Sequence, residues 1–323
     1  MIVILLYRRT LKPNNMGYAK WSTQDYHQLR SRYAHQSRDD IFRNNRLGRI
    51  SEAMNPYGLS VRESRDSQAH PNSLAIGIFL DVTGSMGRIP ELLIRQKLGT
   101  LMDTMLEHGV TDPQVMFSAI GDQYTDRAPL QVGQFESGAN EMNHCLSQVY
   151  LEGGGGGQAR ESYQLAWLIA GKHTSIDCFE KRGQKGFLFT VGDEMSWDQT
   201  DGDFLKKLMG YPETYSVSSR DLLAAAQEKY HVYHIHINET GYKDNPQVMQ
   251  YWKSLLGEQF IVLENHTALA ELIASIIAMV QGVDPQSFAS TFDQQTTRMI
   301  EGSLHGLRKG VQHLSQQAFK GWF

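Results

Sequence analysis

The sequence predicts an α/β protein: a doubly wound, Rossmann-like and mostly parallel sheet of about six strands with helices on both faces, extended at both termini. Three observations carry this. Short runs that are almost wholly apolar, such as Leu74–Leu80 and Lys185–Val191, have the length of strands buried on both faces. Amphipathic stretches of helical period lie between them. Strands alternating with helices imply βαβ units, and hence parallel pairing through crossover helices.

Taken in order, residues 1–72 form a basic N-terminal extension. Residues 1–70 hold 12 Lys+Arg against 6 Asp+Glu, a net of +6, which leaves −10 on the remainder. Within it, residues 23–47 are expected as one helix capped by Thr23, and Asn55-Pro56-Tyr57-Gly58 as a turn. The α/β domain occupies 73–281. Its first strand, Leu74–Leu80, is followed by a helix over Pro90–His108, with proline early, where its missing N–H is harmless. A strand is expected over Gln114–Ile120, and helices over Asn140–Tyr150 and Glu161–Lys172 on either side of the glycine run 153–157. Strands Lys185–Val191, Tyr230–Ile237 and Gln259–Leu263 follow, then an apolar helix, Ala268–Val280. Residues 282–323 form a C-terminal extension in which Leu304, Leu307, Val311, Leu314 and Ala318 recur at helical intervals.

Composition narrows the function classes. A net charge of −4 gives no strong global pull toward nucleic acid or an anionic membrane. No apolar run reaches the roughly 20 residues that span a bilayer. Cys145 and Cys178 form no CxxC pair and stand at no zinc spacing, which argues against a disulfide framework or structural zinc and for a reducing cytoplasm. Ile2–Tyr7 is short and its arginines follow it, so no secretory signal is expected; Met16 is an alternative start.

The chemistry concentrates at Asp81-Val82-Thr83-Gly84-Ser85-Met86. In an open parallel sheet, ligands bind beyond the carboxyl ends of the strands, and Asp81 is the first polar residue after the first strand. Thr83 and Ser85 alternate with it along a glycine-containing turn, so three oxygens can converge on one small cation. Carboxylate and hydroxyl oxygens are hard ligands that favour Mg²⁺, Mn²⁺ or Ca²⁺ over zinc.

This segment resembles the DxSxS core of the metal-ion-dependent adhesion site in von Willebrand factor type A domains, over about residues 73–281. The resemblance implies a fourth element, an aspartate after a later core strand, which Phe189-Thr190-Val191-Gly192-Asp193 supplies. It also implies a threonine after the glycine-rich loop; here Gln158 stands after the run, with Glu161 beyond it, and Asp122 ends the second strand as an additional carboxylate. The function implied is that of a cation-dependent module, Mg²⁺ first, that binds a partner's Asp or Glu and is not an enzyme. Intracellular bacterial domains of that kind work with AAA+ ATPases of the MoxR type or kinase-like proteins. Two other readings compete. A metal-dependent or serine-type hydrolase would use the same rim, with Ser85 near His234, His236 or His266. A nucleic-acid-binding accessory protein would act through the basic arm.

Overall fold

The apolar run Leu74–Asp81 (β1) is buried at every position and lies inside a six-stranded sheet. This computed structural model describes residues 19–154, 157–211, 214–284, 287, 291–305 and 307, with the side chain of Ser85 outside that description. The remaining strands of the sheet are β2 (Pro113–Ile120), β3 (Leu130–Glu136), β4 (Gly186–Gly192), β5 (Tyr230–Ile237) and β6 (Phe260–Leu263). Their order is β6-β5-β4-β1-β2-β3, and the first four pairings are parallel. β1, β2 and β4 are buried at every position, which explains why β1 and β4 read as nearly continuous apolar runs.

The doubly wound, Rossmann-like description needs correction: the sheet is mixed. β3 runs antiparallel to β2, with Val115 opposite Glu136 and Ile120 opposite Leu130. The connection between them, residues 121–129, contains no helix, and without a crossover a returning strand pairs antiparallel. Residues 130–136, which drew no element from the sequence, alternate Gln131 and Gln134 with apolar residues, a weaker signal than the central runs. Three two-stranded ribbons lie outside the sheet: Arg62–Ser64 with Thr174–Ile176, Arg160–Glu161 with Met195–Ser196, and Gln199–Thr200 with Val217–Ser218.

Helices cover both faces of the sheet. One core takes side chains from Leu98–Glu107, Ala139–Ser147 and Leu269–Val280. The other takes them from Gln164–Lys172, Ser219–Lys229 and Pro246–Leu256, with Trp167 and Trp252 at its centre. The helix expected over Pro90–His108 begins at Arg88 and contains a π turn, Leu93–Lys97.

The N-terminal segment is built into the first core. In place of one helix over 23–47 there are three pieces, Thr23–Tyr33, Arg38–Ile41 and Arg43–Leu47. The Ser37 side chain accepts from the Asp40 amide, which starts the second piece and interrupts the first. Tyr26, Leu29, Ile41, Phe42 and Met54 are all buried against the sheet helices. Tyr26 lies so close to Gly99 that a Cβ there would overlap its ring. Arg65 ties the end of the segment to the body through Asp177 (2.9 Å) and Glu180 (3.1 Å). At the other terminus residues 294–305 are helical, and Ile300, Leu304 and Leu307 are buried; Val311, Leu314 and Ala318 lie outside the described residues. Cys145 and Cys178 are both free thiols, and no helix among the described residues is long and apolar enough to cross a membrane.

Candidate functional site

The carboxyl ends of β1, β2 and β4 converge on a rim lined with acids. Asp81 closes β1 with no exposed surface. Its Oδ1 accepts from the Thr83 amide (2.8 Å) and the Thr83 hydroxyl (2.7 Å), and its Oδ2 accepts from the Tyr163 hydroxyl (2.8 Å). Three donors on one carboxylate fix its orientation but do not neutralise it. Burial, with the nearby charge of Asp193, raises its pKa well above the ordinary aspartate value.

Asp193 follows β4 directly and is 7% exposed. Burial raises its pKa, opposed by a hydrogen bond from Thr240 and the field of Arg88. That arginine is itself bonded to Glu239 at 3.0 Å. The next residue, Glu194, is pushed up to about 7 by burial and by Asp193, with Tyr242 as a hydrogen-bond partner that lowers it.

Glu161 is the least compensated member of the group. The ribbon with Met195–Ser196 draws it beside the segment that follows Asp193, and its side chain is fully buried. Neither carboxylate oxygen has a hydrogen-bond partner. Burial and the charges of Asp81, Glu194, Asp126 and Asp122 all raise its pKa. Asp122 is better served: its Oδ1 accepts from Trp197 Nε1 (2.8 Å) and its Oδ2 from the Thr125 hydroxyl (2.8 Å).

Of the residues singled out from sequence, Asp81, Thr83 and Asp193 therefore meet at one rim, with Glu161 and Asp122 behind them. The backbone of Ser85 lies in the turn Gly84–Gly87, and its side chain falls outside the described residues. Gln158 is exposed on the loop after the glycine run. That loop nevertheless reaches the site, because the Gly84 amide donates to the Gly154 carbonyl at 2.8 Å.

Tyr163 and Glu194 were not legible as site residues. Tyr163 reaches Asp81 only because position 192 is glycine: a Cβ there would overlap the tyrosine hydroxyl and stand 2.6 Å from Cζ. Of the histidines named from the sequence, two are held by partners outside the acid cluster. His234 stacks on Trp252 with ring centroids 3.5 Å apart, and its Nδ1 pairs with the Thr190 hydroxyl at 2.9 Å. Burial holds His234 far below its ordinary pKa and lowers His236 to about 4. His266 Nδ1 pairs with Glu239 at 2.6 Å.

No protein-family model matches the chain, and no curated protein matches it. Among solved structures it is similar to the pilus adhesin SpaC of Lactobacillus rhamnosus GG in its open conformation, with 11% identity and a TM-score of 0.43. That alignment covers 67% of this chain and 31% of SpaC. Proximal thread matrix protein 1 of the mussel byssus gives 9% identity and a TM-score of 0.41, over 68% of this chain and 49% of that one. The adhesive tip pilin GBS104 of Group B Streptococcus agalactiae gives 10% and 0.36, over 64% and 100%. The chain thus spans about a third of SpaC and about half of the byssus protein. Likenesses this distant transfer no activity.

The resemblance to von Willebrand factor type A domains is corrected by these findings. No family model supports it, and no group of three or more His, Cys, Asp or Glu able to hold a metal occurs among the described residues. The function attached to it, an intracellular adhesion-site module reading a partner's acidic side chain, falls with it. In physical terms, a short DxTxS segment fixes one turn and two hydroxyls. The third element that would complete the family's ligand set is exposed Gln158.

Proposed function

We propose that the rim is a cation-binding centre: one divalent cation, Mg²⁺ first and Mn²⁺ or Ca²⁺ as alternatives, is held by Asp81, Thr83 and Asp193. This proposal rests on the chemistry of the rim and not on any family. One observation carries it: Glu161, fully buried with both oxygens unpartnered, sits in the field of four other acids. Ionising a buried carboxyl group that has neither counter-charge nor donor is costly, and a nearby cation offsets that cost. The donor set of two carboxylates and a hydroxyl suits a hard cation, while a histidine or cysteine cage for zinc is not among the described residues.

The cation's contribution is positive charge at the point where β1 and β4 end. The chain's own residues hold the site in register: Tyr163 and the Thr83 amide orient Asp81. The domain is then an ion-completed α/β scaffold whose rim loops are ordered by the bound cation. Thermal unfolding of EDTA-treated protein tests this. A ligand that binds only the folded state adds about 2.7 kcal/mol at a hundredfold excess over Kd. Mg²⁺ or Mn²⁺ should therefore raise Tm, and Asp81→Asn should abolish the increment. Identical melting with and without Mg²⁺, Mn²⁺ and Ca²⁺ would defeat the proposal.

A further inference from the structure

The N-terminal segment touches both loops that frame the rim. Arg38 Nη2 donates to the Gly87 carbonyl at 2.8 Å, at the end of the turn carrying Thr83 and Ser85. Its Nε lies 3.6 Å from Glu91, on the helical segment that follows this turn. On the other side, Asn45 Oδ1 accepts from the Leu151 amide (2.9 Å), and Asn44 Nδ2 donates to the Gln148 carbonyl (2.6 Å). Residues 148–151 lead straight into the glycine run, whose Gly154 carbonyl receives the Gly84 amide. Helical pieces Arg38–Ile41 and Arg43–Leu47 thus grip two loops that also grip each other.

Gly87 allows this closeness: a Cβ on it would stand 3.0 Å from Arg38 Nη2 and 3.3 Å from the Val82 carbonyl. Asn44 is buried and Phe42 has no exposed surface, so the grip is anchored in the core. By contrast, the end of the segment at Ser64 and Arg65 attaches to Gln114 and Asp177, beside the start of β2 and away from the rim.

We infer that Arg38 and Asn45 are positioning residues for the cation centre: the N-terminal segment sets the spacing of the 83–87 turn and the 148–154 loop, and so the affinity of the rim. This inference rests on the proposed cation site. Loss of groups that orient ligands typically weakens metal binding by about 10- to 100-fold without abolishing it.

The experiment is a Mn²⁺ titration of the full chain followed by electron paramagnetic resonance, with thermal melts of the apo proteins in parallel. Arg38→Ala and Asn45→Ala should each weaken Mn²⁺ binding by about tenfold. Arg38→Lys, which keeps a donor toward the Gly87 carbonyl, should recover part of the loss. Arg65→Ala, which loosens the segment at the far end, should lower stability and leave the Mn²⁺ affinity unchanged. A wild type that binds Mn²⁺ with Arg38→Ala and Asn45→Ala variants of equal affinity overturns the inference and leaves the site standing. An affinity loss in Arg65→Ala as large as in Arg38→Ala also overturns it, by showing a general effect of stability. A wild type that binds no Mn²⁺ removes the site and the inference together.

Discussion

Gly192→Ala probes the construction of the rim most sharply. The Cβ it adds would overlap the Tyr163 hydroxyl, which is packed among Asp81, His234 and Trp252 with ring centroids 5.0 and 5.6 Å from the latter two. The tyrosine must move, and Asp81 Oδ2 loses its 2.8 Å donor inside a fully buried site. A hydrogen bond to a charged group contributes about 1.5–3 kcal/mol. Forcing an extra methyl into a packed core costs about 1–3 kcal/mol more. The expected loss is therefore about 2.5–6 kcal/mol for Gly192→Ala, against about 1.5–3 kcal/mol for Tyr163→Phe. Both variants act through one contact, so the double variant should cost less than their sum. Urea unfolding of the four proteins measures all three quantities. A Gly192→Ala protein within about 0.5 kcal/mol of wild type, or strict additivity in the cycle, would refute the account of Tyr163 as the orienting group.

Two further outcomes follow from the packing of the N-terminal segment. Deleting residues 1–72 should expose the sheet helices that Tyr26, Leu29, Phe42 and Met54 cover, giving a protein that aggregates on gel filtration; a monomeric, cooperatively melting 73–323 fragment would contradict this. The ion pairs of that segment also fix an acid-side limit. Burial raises Asp66 and Asp177, but Arg182 and Ser73 on the first, and Lys181, the Asp66 amide and Arg65 on the second, more than offset it, so both folded-state pKa values are lowered. Groups depressed in this way contribute stability above their unfolded pKa and lose it as pH falls through the folded value. Stability should therefore decline from about pH 4 downward, less steeply in Arg65→Ala, as chemical denaturation at stepped pH would show.

How much of this was legible depended on how completely each element is buried. β1 and β4 stood out because both of their faces are covered, which leaves a nearly continuous apolar run, while β2 and β5 kept enough apolar residues around Gln114, Ser118 and three histidines to read as strands. β3 did not, since glutamines at 131 and 134 break its pattern, and with it the antiparallel edge was missed. Gln131 is there to bond both the Tyr150 carbonyl and amide (2.8 Å each), a tertiary role that no local pattern announces. In the site, Asp81 and Asp193 could be placed by their position after apolar strands. Tyr163 could not, because its link to Asp81 spans 82 residues and depends on a missing Cβ at Gly192. The family resemblance failed for a related reason: a six-residue motif specifies a turn, while a ligand set is specified by residues that only the folded chain brings together.

The central claim, that a cation completes the acidic rim, is tested most directly by calorimetric titration of Mg²⁺ and Mn²⁺ into the EDTA-stripped full-length protein and its Asp81→Asn variant. The account predicts one saturable site per chain in the wild type and none in the variant, whose apo form should be at least as stable because a buried charge has been removed. No binding heat for either metal in the wild type, or the same isotherm in Asp81→Asn, would contradict it.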